Sequence, residues 1–210
     1  AWRPTERQIV TGSAAFGGFV FDQFALGDIE KASYVFNDQA LIEITGLEAK
    51  HGDEIQALFG VEVTVPTVPF PRIPLAEAKR IVAERGYEVP RHDDDMDPEG
   101  ERQIAAYVKE TFDHEFVFLT DYASSIRPFY HMRHADDASL TNSYDLIFNG
   151  VEISTGAQRE HRIEILEAQA RDKGLDPEEL GFYLDFFRYG VPPHGGFGMG
   201  LSRVLMLMLH

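Results

Sequence analysis

Two acidic residues, Asp145 and Glu152, flank an Asn149-Gly150 dipeptide, each within a run of strand-forming residues. Asn-Gly between such runs predicts a two-residue hairpin. Phe148 then faces Val151, and Asp145 falls close to Ser154. The two carboxylates project toward one cleft, or one of them points to solvent. Facing inward together they need a cation or a base beside them, because buried like charges are costly. Mg2+ suits them, since it takes one or two carboxylates along with phosphate oxygens. Arg159 follows just past Gly156, at the expected start of a helix. Its planar fork can grip a carboxylate through two bonds there, or pair at the surface with Glu160 or Glu164. His161 is a candidate acid, base, orienter or structural imidazole.

The run His194-Gly195-Gly196-Phe197-Gly198-Met199-Gly200 precedes Leu201, Ser202 and Arg203. Alternating glycines leave one face of a strand bare, so a flat ligand or another backbone can approach closely. Arg203, on the first turn of the next helix, can stack on an aromatic base or pair with a phosphate. The spacing matches neither a P-loop nor a dinucleotide-binding turn.

These residues need a scaffold. Phe116–Leu119, Tyr144–Phe148, Val151–Ser154 and Gly195–Gly200 read as strands, and Val61–Val65 alternates like another. Phe19–Phe21 and Tyr34–Phe36 look like short strands between glycine turns. Leu41–Leu58 reads as one helix broken by Gly46 and Gly52. Prolines 66, 69, 71 and 74 make an extended connector. A helix starts at Pro74, with Leu75, Ala78, Ile81 and Val82 as its stripe and Gly86 as its stop. Asp97 caps a helix from Pro98 to about Phe112, with Ile104, Ala105, Val108 and Phe112 on its apolar face. Helices are expected at 157–173 and, capped by Asp176, from Pro177 to about Gly190. Both should pack on one face of the sheet. His92–Asp95 reads as a solvated acidic turn. Hairpin-linked strands with helices between groups predict an α+β fold on a largely antiparallel sheet.

The chain has 210 residues, long enough for one well-buried domain. Its net charge of −16 speaks against a broad contact with phosphate backbone, though a local basic site remains open. With no cysteine, disulfides, cysteine nucleophiles and cysteine-ligated metal sites are excluded. No apolar run approaches the roughly 18 to 20 residues of a membrane span, and no signal peptide is visible. A cytoplasmic location is expected.

The block from Tyr144 to His161, the block from Phe186 to Arg203, Ser125–Tyr130 and Phe70–Pro74 occur in the order found in class II aspartyl-tRNA synthetases. Over residues 61–209 the chain resembles that family, most closely its archaeal, non-discriminating branch. The resemblance implies a class II synthetase-like catalytic domain that activates aspartate with ATP and Mg2+ for transfer to tRNA. By that analogy Asp145, Glu152 and Thr155 hold the metal, and Arg159 and Thr155 bind aspartate. Glu152, Gly200, Leu201, Ser202 and Arg203 bind ATP, and Arg159 and Arg203 are catalytic. A homodimer is expected from the family, but its dimer-forming first signature is not found. The Phe-Arg-x-Glu signature is missing too, Ser202 stands where the family carries glutamate, and residues 1–60 match poorly. The expected organisation is one catalytic domain over 1–210, without an anticodon-binding domain. Alternatives are a paralogue that activates aspartate for another acceptor such as ammonia, and a binding protein that has lost catalysis.

Overall fold

The structure is a computed structural model, and it describes residues 14–16, 19–24, 46–90 and 94–209. Those residues form seven strands: β1 (Ala14–Phe16), β2 (Phe19–Phe24), β3 (Arg72–Pro74), β4 (Phe116–Thr120), β5 (Ser143–Phe148), β6 (Val151–Arg159) and β7 (His194–Gly200). The helices are α1 (46–59), α2 (Leu75–Glu84), α3 (Pro98–Phe112), α4 (Ile163–Asp172), α5 (Gly181–Arg188) and α6 (Leu201–Leu209).

The strands make one sheet in the order β1-β2-β7-β6-β5-β4-β3, antiparallel except for β3 beside β4. The largely antiparallel α+β architecture is therefore as expected. The hairpin also forms as expected, with Asn149 at φ 48° and Gly150 at φ 81°. Both central residues take the positive φ that lets a two-residue turn follow the strand twist. The register shifts between Leu146 and Ile147, where Ile153 is the extra residue. This bulge sets Asp145 opposite Thr155 rather than beside Ser154.

Both faces of the sheet are covered in part. Val117, Leu119 and Ile147 meet the α2 stripe (Leu75, Ala78, Ile81, Val82) and Ile104 and Val108 of α3. Asp97 caps α3 by accepting from the Gly100 N–H at 3.0 Å. Phe116, Phe118, Tyr144, Leu146, Phe148, Ile153 and Phe197 pack with Ile55 of α1 and with Val204 and Leu207 of α6. Within this layer Gly156 sits opposite Tyr144, whose ring is fully buried where a Cβ on Gly156 would stand. Gly156→Ala should cost about 3 kcal/mol by overpacking. Urea denaturation reads the loss.

Several local expectations are corrected. Residues 157–159 extend β6 instead of opening a helix, because Ala157, Gln158 and Arg159 pair with Gly196, Gly195 and His194. Helix α4 starts only at Ile163. Residues 177–180 form turns before α5 starts at Gly181, with the Asp176 carboxylate accepting from the Glu178 N–H at 3.0 Å. Nor do α4 and α5 lie on the sheet. Leu166, Leu184 and Phe187 pack together against Phe129 and Tyr130. Gln169 of α4 and Lys173 at its C-cap donate to the backbone carbonyls of Phe129, His131, Ser124 and Ser125. Residues 61–65 form no strand, and their alternation reflects Val61, Val63 and Val65 packing inward without a ladder partner. Helix α1 runs unbroken through Gly52. Tyr34–Phe36, His92 and Asp93 lie outside the described residues, and Asp94 and Asp95 form a bend.

Candidate active site

Side chains of directly opposed residues in an antiparallel sheet share a face. Asp145 is opposite Thr155, Thr155 opposite Gly198, Ala157 opposite Gly196, and Arg159 opposite His194. One face of β5–β6–β7 thus carries a carboxylate, a hydroxyl and an arginine beside two positions with no side chain. The alternating glycines of β7 fall where the sequence reading needs them.

At one end of this row, the Thr155 hydroxyl donates to Glu152 Oε1 at 2.8 Å. Asp145 is buried, and its Oδ2 accepts from Arg127 Nη2 at 2.6 Å, while Oδ1 has no hydrogen-bond partner among the described residues. Burial pushes the Asp145 pKa up, Arg127 pulls it down, and the nearby Glu152 charge pushes it up again. Burial prevails, so the carboxylate is short of positive charge. Arg127 is itself 11% exposed, and its guanidinium lies 3.7 Å from the Tyr122 ring centroid. The Glu152 N–H donates to Glu101 Oε2 at 3.3 Å, and Glu101 is pushed up to about 7 by burial, with Glu152, Asp145 and Asp95 adding to the rise.

Two carboxylates and a hydroxyl form a hard-oxygen donor set, and the unpartnered Asp145 Oδ1 leaves a lone pair for a cation. The set fits Mg2+. No group of three or more His, Cys, Asp or Glu among the described residues is arranged to hold a metal. A cation at Asp145 and Glu152 therefore needs further oxygens from a ligand or water.

At the other end lies Arg159, as the last residue of β6 and not at a helix start. It comes seven positions after Glu152, roughly 20 Å along the strand. Arg159 and Glu152 thus mark opposite ends of the row. The Arg159 guanidinium sits 4.6 Å from the Tyr130 ring centroid, and its Nη1 is buried without a hydrogen-bond partner among the described residues. Neighbouring arginines are committed: Arg127 to Asp145, Arg133 to Asp172 and Arg162 to Glu160. Arg159 holds no carboxylate among the described residues. Surface pairing with Glu160 does not occur, because Glu160 is 1% exposed and takes Arg162 and the His161 N–H instead.

His161 and Gln158 line a separate cleft of about 780 Å³ between α4 and residues 132–138, which Arg159 does not line. His131, whose backbone bridges to Arg159, is buried and holds no partner at Nδ1 among the described residues. Burial, with Arg159 and Arg127 nearby, lowers its pKa to about 3. A depressed histidine contributes stability that is complete above its unfolded value, about 6.5, and lost as pH falls below it. Wild-type protein should therefore lose about 2 kcal/mol from this group between pH 6.5 and pH 5, and His131→Asn should not. Chemical denaturation across that range checks the difference.

Gly200 ends β7, while Leu201, Ser202 and Arg203 form the exposed first turn of α6. Arg203 Nη1 donates to the Glu152 carbonyl, so its guanidinium reaches the carboxylate end of the row. Sequence reasoning gave no role to Arg127, Glu101 or Tyr130. Arg127 pairs with a residue 18 positions away, a contact with no local signal. Glu101 did carry one, since it precedes Ile104 and Val108 by three and seven positions and so lies on the apolar stripe of α3.

The largely antiparallel sheet that carries this row has the fold of the class II synthetases. The chain is a member of the family described as tRNA synthetases class II (D, K and N), whose profile matches residues 30–210. That match begins well before the motif blocks do. Among curated relatives, the aspartate–tRNA(Asp/Asn) ligase of Aeropyrum pernix is 44% identical over 187 residues, 88% of this chain and 42% of that protein. The aspartyl-tRNA synthetase structure from Entamoeba histolytica superposes with a TM-score of 0.84 at 29% identity, covering 91% of this chain and 40% of that one. An asparaginyl-tRNA synthetase from Pyrococcus horikoshii, complexed with asparaginyl-adenylate, gives a TM-score of 0.79 at 28% identity, covering 91% of this chain and 44% of the other. The chain spans about two fifths of the length of these relatives.

Proposed function

We propose that this chain is the catalytic domain of an aspartate–tRNA ligase, using ATP to activate aspartate before transfer to tRNA. The observation that carries the reading is Arg159. A buried guanidinium nitrogen without a partner, on a sheet face shared with glycines, is a receptor for a carboxylate the protein does not itself supply. Aspartate brings two carboxylates. One attacks the α-phosphorus of ATP, forming the aspartyl-adenylate and releasing pyrophosphate, and the other needs a fixed cation.

The length of the row supports a two-part substrate. Arg159 takes the amino-acid side chain at one end, and Asp145, Glu152 and Thr155 face the triphosphate at the other. The bare positions Gly196 and Gly198 lie between them. Gly200, Leu201 and Ser202 border the nucleotide, and Arg203 reaches its phosphates. Asp145, Glu152 and Thr155 would hold Mg2+, which when bound supplies positive charge against the phosphate oxygens. No protein nucleophile is needed. Arg127 offsets part of the burial cost of the Asp145 carboxylate and holds it in place.

Residues 1–210 form one catalytic domain in this reading, the protein works in the cytoplasm as a homodimer, and tRNA is engaged partly by regions outside this chain. Among the described residues no helix is long and apolar enough to cross a membrane. The test is ATP–pyrophosphate exchange with the intact protein. Exchange should require Mg2+ and run at least about 100-fold faster with aspartate than with asparagine, the discrimination expected when a site built for one charged group meets a neutral one. Exchange driven equally by asparagine would reject aspartate as the substrate. No exchange with either would favour the paralogue without catalysis.

A further inference from the structure

The ladder between β6 and β7 stops at Ser154 and Met199, because the chain leaves β7 for α6 at Leu201. Glu152 therefore lies beyond the end of the strand that pairs with its neighbours. It also sits beside the Ile153 bulge, where the register with β5 is interrupted. A backbone segment so placed has polar groups the sheet does not satisfy. Two side chains from distant parts of the chain take them up. Glu101, on the first turns of α3, accepts from the Glu152 N–H, and Arg203, on the first turn of α6, donates to the Glu152 carbonyl. The α3 backbone itself lies against the hairpin, since Arg102 would meet a Cβ on Gly150 at 3.1 Å.

We infer that Glu101 is a positioning residue, which with Arg203 replaces the missing strand around the Glu152 peptide and thereby aims the Glu152 carboxylate. The inference rests on the proposed role of Glu152 as a ligand to the cation at the triphosphate end. Among the described residues the Glu152 side chain is otherwise tied only through the Thr155 hydroxyl, and a one-point tether leaves its direction to the backbone. An oxygen acceptor at position 101 is what the geometry requires, and glutamine supplies one as well as glutamate does. Leucine supplies none, and aspartate is shorter by one methylene.

Two measurements on the intact protein separate this inference from the reading beneath it. Hydrogen exchange of the Glu152 amide tests the contact itself. It should accelerate about tenfold or more in Glu101→Leu and Glu101→Asp and stay near wild type in Glu101→Gln. The Mg2+ dependence of aspartate-driven ATP–pyrophosphate exchange tests its consequence. Glu101→Leu should raise the half-saturating Mg2+ concentration about tenfold, with the maximal rate largely recovered at high Mg2+, and Glu101→Gln should restore the wild-type curve. Glu101→Asp provides the same test should the leucine variant fail to fold. An unchanged Glu152 amide in the aspartate and leucine variants overturns the inference. So does an equal Mg2+ shift in Glu101→Gln, where the acceptor persists. Glu152→Gln serves as the reference. If its Mg2+ dependence matches wild type, Glu152 is not a cation ligand and the reading of the site fails. If that variant is impaired while Glu101→Leu is normal, only the positioning role is lost.

Discussion

Arg159→Leu should reduce aspartate-dependent ATP–pyrophosphate exchange at least about 100-fold while leaving ATP affinity nearly unchanged. The magnitude follows from burial. Arg159 Nη1 is enclosed without a partner, and the guanidinium rests on the Tyr130 ring. A substrate carboxylate arriving there loses its water and gains a fork of donors. Without the fork it is left desolvated and unpaired, a penalty on the order of 3 to 5 kcal/mol. A hundredfold effect corresponds to about 2.7 kcal/mol, so the estimate sits below that penalty. Nucleotide affinity stays because Arg159 lies roughly 20 Å of strand from Glu152. Leucine keeps the apolar contact with Tyr130, which separates lost recognition from lost packing. Exchange rates and nucleotide affinity measured side by side check both halves. Equal losses in the two would mean that Arg159 supports the fold rather than the amino acid.

The second large effect is on stability. Arg127 and Asp145 are 11% and 7% exposed, and they are joined at 2.6 Å. Breaking a buried pair from one side costs about 3 to 5 kcal/mol, because a charge remains without its partner. Arg127→Leu should fall in that range at pH 7. The Asp145 pKa, already raised by burial, rises further in the variant. A raised carboxylate contributes full stability below its unfolded value, near 4, and loses it as pH increases. The deficit should therefore shrink toward pH 4 and grow toward neutrality. Asp145→Asn added to Arg127→Leu should recover part of the loss, a coupling that a double-mutant cycle reads. Additive losses would show that the pair does not act as a unit. Added Mg2+ should stabilise the Arg127→Leu variant more than wild type if the Asp145 carboxylate is a cation ligand.

Elements with a short-range signal were readable from the chain. Asn149-Gly150 announced its hairpin, Asp97-Pro98 announced α3, and the glycine alternation from Gly196 to Gly200 announced a strand with one bare face. Misreadings arose where tertiary pairing outweighed local pattern. Residues 157–159 look like the first turn of a helix, but β7 extends far enough to keep them in the sheet as far as Arg159. That places the arginine at a strand end, on the face of Thr155, which is a more defined position than a helix start. Val61–Val65 alternates like a strand yet has no neighbour to pair with among the described residues. Burial alone produces that pattern. Of the site, Asp145 joins the face of Thr155, Arg159 and the β7 glycines only through the Ile153 bulge, which no local signal announced, and the Arg127–Asp145 pair depends on a loop folding back across the sheet.

A crystal structure of the intact protein bound to a non-hydrolysable aspartyl-adenylate analogue tests the central claim most directly. The account predicts the side-chain carboxylate of the analogue on Arg159, with both guanidinium Nη atoms within about 3 Å of its oxygens and the nucleotide portion directed along β6 toward Glu152. A bound analogue whose side-chain carboxylate lies elsewhere, with Arg159 still unpartnered against Tyr130, would contradict it.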